Sequence, residues 1–106
     1  MSPRDPLNCF FYSSLAAAHY KTGRYDEAVA AIRLALQQRP NIMMGQRMLC
    51  ASLAQAGQID EAKAAMRVLQ ELQPYISVTW IKESVPYTDK VMPHFLEGMR
   101  KAGVPE

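Results

Sequence analysis

The chain has 106 residues, of which 49% are hydrophobic, and this length and composition suit one small folded domain rather than a disordered segment. Its formal net charge is +2, and both signs are scattered along the chain. Because no basic stripe with interleaved aromatic residues is present, we expect no nucleic-acid partner. No apolar run approaches the roughly 20 residues of a membrane span, and the first residues do not form a signal peptide, so we expect no membrane partner.

Glycine and proline divide most of the chain into predicted helices. Gly23 and Gly57 are expected to end helices, because glycine adopts the left-handed conformation at low cost. Pro40 and Pro74 are expected to close the helices that follow. The predicted helices, approximate at their ends, span residues 7–22, 25–39, 42–56, 59–72, 78–84 and 89–102. The predicted N-cap residues are Asn41, Ser77 and Thr88.

The sequence repeats itself at a fixed spacing. The segment at residues 23–28, Gly-Arg-Tyr-Asp-Glu-Ala, returns 34 residues later as Gly-Gln-Ile-Asp-Glu-Ala at residues 57–62. The same offset pairs Leu15 with Leu49, Ala17 with Ala51, Ala30 with Ala64, Ala31 with Ala65, Arg33 with Arg67, Pro40 with Pro74 and Ile42 with Ile76. A period of about 34 residues is typical of helix–turn–helix repeats, which present surfaces for binding rather than pockets for chemistry.

Small residues are predicted to mark where the two helices of each hairpin cross. Ala16 and Ala28 occupy this position in the first hairpin, and Cys50 and Ala62 repeat the arrangement. A small side chain at each crossing lets the two backbones approach closely. The larger side chains expected to fill the space beside the first crossing are those of Leu15, Tyr25, Ile32 and Leu36.

These features resemble the tetratricopeptide repeat. The residues that fit a first repeat at 9–42 are Leu15, Ala16, Tyr20, Gly23, Tyr25, Ala28, Ala35, Leu36 and Pro40, and those that fit a second at 43–76 are Leu49, Cys50, Gly57, Ala62 and Pro74. The second repeat diverges more, since Gln46 stands where an aromatic residue is usual and Leu69 where alanine is usual. The resemblance implies one all-α domain over residues 1–106, a right-handed α–α superhelix of two hairpins. Residues 77–106 would form a shortened third hairpin that caps it.

The resemblance also implies a binding groove, because the first helix of each hairpin lines the concave surface in this family. By helical spacing the inward residues are Phe10, Ser13, Ala17, Tyr20, Lys21, Met44, Arg47, Ala51, Ala54 and Gln55. Small apolar residues on the floor and two basic points favour an apolar or mildly acidic helix or peptide. Some family members clamp a terminal carboxylate with paired Lys and Asn, but Ser13 and Ala17 occupy the corresponding places here. In the alternative interpretation the C-terminal helix fills the groove.

A narrower resemblance covers nearly the whole chain. The lead-in at residues 2–7, the two repeats and the tail at residues 97–106 are similar to the carboxyl-terminal end of certain bacterial signalling proteins. These are class III adenylate/guanylate cyclases and some regulators that carry such repeats after another domain. The similarity implies that this chain is the last piece of a longer signalling protein. It does not make the chain a cyclase, since the metal-binding aspartates and mixed α/β fold of that catalytic domain are missing.

The start of the first helix supports the same interpretation. Residues 9–12, Cys-Phe-Phe-Tyr, are apolar or aromatic on all sides of a helix, including the side away from the second helix. In an array a preceding repeat would cover that side. Otherwise it is an exposed patch that recruits a partner or a second copy, which makes homo-oligomerisation the alternative function. A further alternative is that residues 1–7 fold back over the patch.

No combination of residues indicates an enzyme, and we expect no catalytic residue, no cofactor and no metal. His19, His94, Cys9 and Cys50 lack the spacing of metal ligands, and we place His19 in the core of the first hairpin. Ser13-Ser14 lacks a nucleophile elbow. The two cysteines do not make a disulfide framework, and buried reduced thiols favour a cytoplasmic location.

Overall fold

The computed structural model describes residues 8–39, 43–85 and 91–106, with the side chains of the first stretch described from Phe11 onward. Within these ranges the chain is helical and has no strand. The helices are α1 (Asn8–Lys21), α2 (Tyr25–Gln38), α3 (Met43–Gln55), α4 (Ile59–Leu72), α5 (Val78–Ser84) and α6 (Met92–Lys101). They build an α–α superhelix from two hairpins, α1–α2 and α3–α4, followed by the shorter α5 and α6, which confirms the predicted fold class.

The predicted helices agree with the described ones to within one or two residues at nearly every end. The Ser77 cap is confirmed, because the backbone N–H of Trp80 donates to Ser77 Oγ at 3.0 Å. Pro93 lies in the first turn of α6, where a missing N–H leaves no helical hydrogen bond unmade. The predicted caps Asn41 and Thr88 lie outside the described residues, as does the predicted start of α6.

The two hairpin turns are built alike. Gly23 and Gly57 have φ angles of 79° and 85°, in the left-handed region that favours glycine. The N–H of each glycine donates to the carbonyl three residues earlier, at 3.2 Å in both turns. The next N–H reaches five residues back, from Arg24 to His19 at 2.8 Å and from Gln58 to Leu53 at 2.9 Å. The 34-residue period of the sequence is therefore repeated in the backbone hydrogen bonds.

The predicted crossings are fully buried. Ala16, Ala28, Cys50 and Ala62 each have 0% of their surface exposed. Burial raises the pKa of the Cys50 thiol to about 12, so this thiol is protonated at neutral pH and unreactive as a nucleophile.

One neighbour of the first crossing was predicted wrongly. Ile32 is buried and Tyr25 and Leu36 are half-buried as expected, but Leu15 remains 37% exposed. Leu15 directly precedes the buried Ala16, and the turn of the helix places it on a side of α1 that α2 does not cover.

The hairpins stack where α3 meets α2. A Cβ placed on Gly45 would lie 3.0 Å from Leu36 Cδ2 and 3.6 Å from Ile32 Cδ1. The first distance is shorter than ordinary van der Waals contact, so the absent side chain of Gly45 leaves room for Leu36. The side chain of Leu36 on α2 thus packs against the backbone of Gly45 on α3.

Helix α6 packs against α3 on the concave side of the superhelix. Phe95 and Met99 have no exposed surface, and Leu96 is 3% exposed. The helices come together at Gly98, where an added Cβ would lie 2.5 Å from Tyr20 Oη and 3.0 Å from Ala51 Cβ. A residue without a side chain is therefore needed for this contact.

The last residues return to the start of α5. The N–H of Val78 donates to Pro105 O at 2.8 Å, and that of Thr79 donates to Glu106 O at 3.1 Å. The guanidinium of Arg100 donates to the Glu106 carboxylate at 3.1 Å and lowers the pKa of that carboxyl group. Together with the Ser77 cap, the tail satisfies the first three N–H groups of α5.

The buried crossings predict the effect of a larger side chain. Ala28→Leu adds three carbon atoms at a site with no free surface, so we expect it to lower the free energy of unfolding by ~1–3 kcal/mol. Urea unfolding followed by circular dichroism measures the loss. Ala30→Leu is the matched control, since Ala30 is exposed on the same helix. Equal stability of the two variants would contradict the crossing.

Gly98→Ala is expected to destabilise the protein although alanine normally favours helix. The helix-propensity gain is about 1 kcal/mol, whereas the new methyl group would push α6 away from Tyr20 and Ala51 and cost about 1–3 kcal/mol. We expect a lower urea midpoint than for wild type, and no such loss for Glu97→Ala on the exposed side of α6. A Gly98→Ala variant more stable than wild type would mean that α6 does not lie this close to α1 and α3.

Candidate protein-interaction surface

The residues predicted to line the concave groove divide into a covered and an open group. Those that are buried are Ser13, Tyr20, Ala51 and Ala54, and those that are half-buried are Ala17, Arg47 and Gln55. Met44 is 39% exposed, and Lys21 is also exposed. The side chain of Phe10 lies outside the described residues. Of the covered residues, Tyr20, Ala51, Ala54 and Gln55 lie toward the C-terminal ends of α1 and α3.

Helix α6 covers that end through polar contacts as well as apolar ones. Tyr20 Oη donates to the backbone carbonyl of His94 at 2.7 Å. Gln55 Nε2 lies 3.4 Å from both of these oxygens, and Gln55 Oε1 accepts from Lys101 Nζ at 2.9 Å. Tyr20 is thus a buried anchor for α6. This is the arrangement described by the alternative in which the C-terminal helix occupies the groove.

The two histidines lie at the edges of these contacts. His94 Nε2 is 2.6 Å from Tyr25 Oη, and its ring lies over that of Tyr20 with centroids 4.5 Å apart. His19 was predicted to be a core residue, which is wrong. Its side chain is 20% exposed and its Nδ1 lies 3.3 Å from the Glu27 carboxylate, at the rim of the first hairpin.

The open part of the concave side is formed by α3 and the segment that leads into α5. Met44 and Arg47 are three residues apart and share a face of α3. The guanidinium carbon of Arg47 lies 5.6 Å from the centroid of the Trp80 ring, and Arg47 Nη1 donates to Gln73 Oε1 at 3.2 Å. The Tyr75 ring lies 5.5 Å from that of Trp80. We call Arg47, Gln73, Tyr75 and Trp80 the aromatic–arginine cluster.

The cluster combines exposed aromatic surface with a fixed positive charge. Tyr75 is 60% exposed, the largest value among the exposed large hydrophobic residues described. Gln73, buried at 5%, holds Arg47 from one side while its Nε2 lies 3.4 Å from Tyr75 Oη. Stacking on Trp80 and a bond to Gln73 restrict the guanidinium, so it presents its charge in a defined direction. Such a surface can receive an apolar side chain next to a carboxylate.

Sequence reasoning predicted Arg47 and Met44 for this region but missed their partners. Trp80 was assigned only to a short helix, and Tyr75 and Gln73 were given no role. The one available signal was Pro74, which ends α4 between Gln73 and Tyr75 and turns the chain back toward α3. Proline shows that a turn occurs there but not which side chains it brings together.

A second surface lies on α1. Phe11 is 52% exposed and Leu15, one turn later on the same face, is 37% exposed. The Phe11 ring packs edge-on against that of Tyr12 at a centroid distance of 5.5 Å. We call the side of α1 that contains Phe11 and Leu15 the front face.

In the described part of the chain, no cluster of three or more His, Cys, Asp or Glu side chains could hold a metal ion. None of the described helices is long and apolar enough to cross a membrane.

Comparison with known proteins agrees with the geometry. Two protein-family models, both of the tetratricopeptide repeat, match residues 9–42 and residues 43–67. No curated protein and no solved structure matches the chain. The two matched stretches adjoin and together span more than half of the residues, so the chain belongs to the tetratricopeptide repeat family. They extend from α1 into α4.

Proposed function

We propose that this chain is a non-catalytic interaction module that binds a protein or peptide partner on the open part of its concave side. Tetratricopeptide repeats mediate protein–protein interaction and are typically non-catalytic. The observation that carries the proposal is the Arg47 guanidinium over the Trp80 ring, with the exposed Met44 one turn away on α3 and the exposed Tyr75 against the same Trp80 ring. Exposed apolar surface beside a positioned charge is typical of a binding surface.

The partner is an apolar or mildly acidic helix or extended peptide. Apolar side chains would contact Met44 and Tyr75, and one carboxylate would accept from Arg47. Among the predicted groove residues, Ala17 and Lys21 also remain accessible and extend the surface along α1. Helix α6 covers Tyr20, Ala51 and Gln55, so a partner would reach these residues only if α6 moved away.

Binding is tested with a pair of variants that differ in the surface they alter. We expect Met44→Asp to weaken capture of the partner from source-cell extract about tenfold or more, because a charge would be buried against an apolar side chain. Val68→Asp is the matched control, since Val68 is 45% exposed on α4. Quantitative mass spectrometry of the captured proteins compares the two. A partner lost equally with both variants, or with neither, would rule out this surface.

The wider context that we propose is the C-terminal part of a larger bacterial signalling protein, such as an adenylate/guanylate cyclase. The similarity of the lead-in and tail to the ends of those proteins supports it. The chain would then bind on behalf of a catalytic or regulatory domain located upstream.

The size of the native protein tests this context. We expect an antibody raised against the chain to detect a band far larger than 11.9 kDa in source-cell extract, and mass spectrometry of that band to identify the upstream domain. A band at the mass of the chain itself would contradict the context but not the interaction surface.

The alternative function is homo-oligomerisation through the front face. The exposure of Phe11 and Leu15 favours it, because two such faces can bury each other. The two functions differ in concentration dependence. A module that binds another protein is monomeric at every concentration, whereas the average mass of a self-assembling protein falls on dilution because its oligomers dissociate.

A further inference from the structure

The side chains of the aromatic–arginine cluster offer hydrogen-bond donors to a ligand. The indole N–H of Trp80 has no acceptor among the residues that the structure describes, and its nitrogen retains contact with solvent. The Tyr75 hydroxyl oxygen accepts from Gln73 Nε2 at 3.4 Å, so its own proton is left for another acceptor. Gln73 Oε1 accepts from Arg47 at 3.2 Å and belongs to a side chain that is only 5% exposed. A ligand therefore meets donors here, and its own N–H groups would find no accessible side-chain acceptor in the cluster.

The backbone conformation of a peptide decides what it presents to these donors. The carbonyls of a helix accept from N–H groups of the same helix. An extended strand carries as many N–H groups as carbonyls, and the described part of the chain has no strand with which it could pair. In the polyproline II conformation the carbonyls make no internal hydrogen bond, and proline has no N–H at all. A proline-rich segment thus brings acceptors without donors, which complements the cluster.

The aromatic rings supply an apolar surface that suits proline. Tyr75 is 60% exposed, and its ring lies 5.5 Å from that of Trp80 with 59° between the two planes. Proline-rich segments dock on surfaces lined by aromatic rings, and their preformed conformation costs little entropy on binding. The same two residues therefore provide both the apolar contact and the donors.

The charge of Arg47 indicates what accompanies the proline. Its guanidinium carbon lies 5.6 Å from the centroid of the Trp80 ring, which the Tyr75 ring also contacts. Polyproline II has three residues per turn, so a proline and an acidic residue three positions apart lie on one side of the segment, about 9 Å from each other. One segment can then contact Tyr75 with its proline and Arg47 with its carboxylate.

We propose that the aromatic–arginine cluster binds a proline-rich segment of a partner protein in the polyproline II conformation, with an acidic residue three positions from a proline. The Trp80 indole N–H and the Tyr75 hydroxyl donate to carbonyls of the segment, and Arg47 pairs with its acidic side chain. The inference rests on the proposed function and names the class of peptide, which is polyproline II rather than helix.

Two capped synthetic peptides of equal charge test the proposal directly. One has three Pro-Pro-Pro-Glu units, and the other has three Ala-Ala-Ala-Glu units, which favour helix. Trp80 is the one tryptophan of the chain, so its fluorescence and its indole N–H signal in 1H–15N NMR spectra report on the cluster. We expect the proline peptide to bind at least tenfold more tightly than the alanine peptide and to shift the indole N–H signal. Equal or tighter binding of the alanine peptide, or no binding of the proline peptide, would overturn the proposal.

A pair of matched variants locates the peptide. Tyr75→Ala removes an exposed ring from the cluster, and Phe11→Ala removes one from the front face. We expect Tyr75→Ala to weaken binding of the proline peptide at least fivefold and Phe11→Ala to leave it unchanged. Circular dichroism shows whether each variant is folded. An affinity that is insensitive to Tyr75→Ala, or equally sensitive to both, assigns the peptide to another surface and overturns the proposal.

The donor has a test of its own. Trp80→Phe keeps an aromatic ring but removes the N–H, so we expect several-fold weaker binding of a fluorescein-labelled proline peptide, measured by anisotropy. Unchanged affinity would contradict the proposed hydrogen bond. If the variant does not fold, the indole N–H signal of the wild-type protein decides, since a ligand carbonyl bonded to it must shift that signal.

Arg47→Gln tests the acidic residue. In the wild-type protein we expect the Pro-Pro-Pro-Glu peptide to bind about fivefold more tightly than the same peptide with glutamine in place of glutamate. The variant should bind both peptides alike. Equal binding by the wild-type protein, or a preference that persists in the variant, would overturn the pairing with Arg47.

Failure of this inference differs from failure of the proposed function. A partner whose capture depends on Met44 but whose bound segment is helical or lacks proline would overturn the inference and leave the interaction surface intact. Capture that is insensitive to Met44→Asp, together with the expected peptide affinities, would contradict the proposed function but not the preference of the cluster for polyproline II.

Discussion

The packing of this protein depends on small side chains at the points where its helices meet. Ala16 and Ala28 bring α1 and α2 together, and Gly45 admits Leu36 between the hairpins. Gly98 allows α6 to lie on α1 and α3. The energy of dispersion contacts falls off steeply with distance. An added methyl group at such a site would push the two helices apart and weaken many contacts between their atoms.

The approach at Gly98 also decides which part of the concave side remains open. With α6 this close, the Tyr20 hydroxyl meets the carbonyl of His94. A tyrosine that is 1% exposed requires such a partner, since an unpaired buried hydroxyl is costly. One glycine therefore allows α6 to cover the C-terminal ends of α1 and α3, whereas Met44 remains exposed and Arg47 half-buried.

Local signals in the sequence predicted the repeat but could not place the segment that departs from it. The glycine turns, the small crossing residues and the Ser77 cap depend on neighbours a few residues away or on a motif present twice. The helical spacing of Met92, Phe95 and Met99 indicates which face of α6 is buried, but not what it is buried against. Residues 77–106 have no second copy in the chain to compare with, so the contact with Tyr20 had no sequence signature.

The front face could be predicted from the sequence, whereas the aromatic–arginine cluster could not. Four apolar residues in a row predicted an exposed patch, and the exposure of Phe11 agrees with it. The cluster joins Arg47 to Trp80 across 33 positions of sequence and involves no repeated motif. The spacing of apolar residues along one helix predicts which side of that helix is apolar. The contact of Arg47 with Trp80 depends instead on how the chain turns after α4 at Pro74, which spacing does not predict.

Charge alone would not select a partner for the proposed interaction surface. The Arg33–Glu61 ion pair spans 2.9 Å between α2 and α4, but both side chains are more than half exposed, so it contributes about 0–1 kcal/mol. Arg47 differs because contacts with Trp80 and Gln73 restrict its guanidinium, which would lower the entropy lost if a partner bound there. In the proposed binding mode, affinity would come from burying Met44 and Tyr75, while Arg47 would fix the orientation of the partner. Under this proposal a partner would need an apolar residue and a carboxylate at the right separation, and acidic character without that apolar residue would not be sufficient.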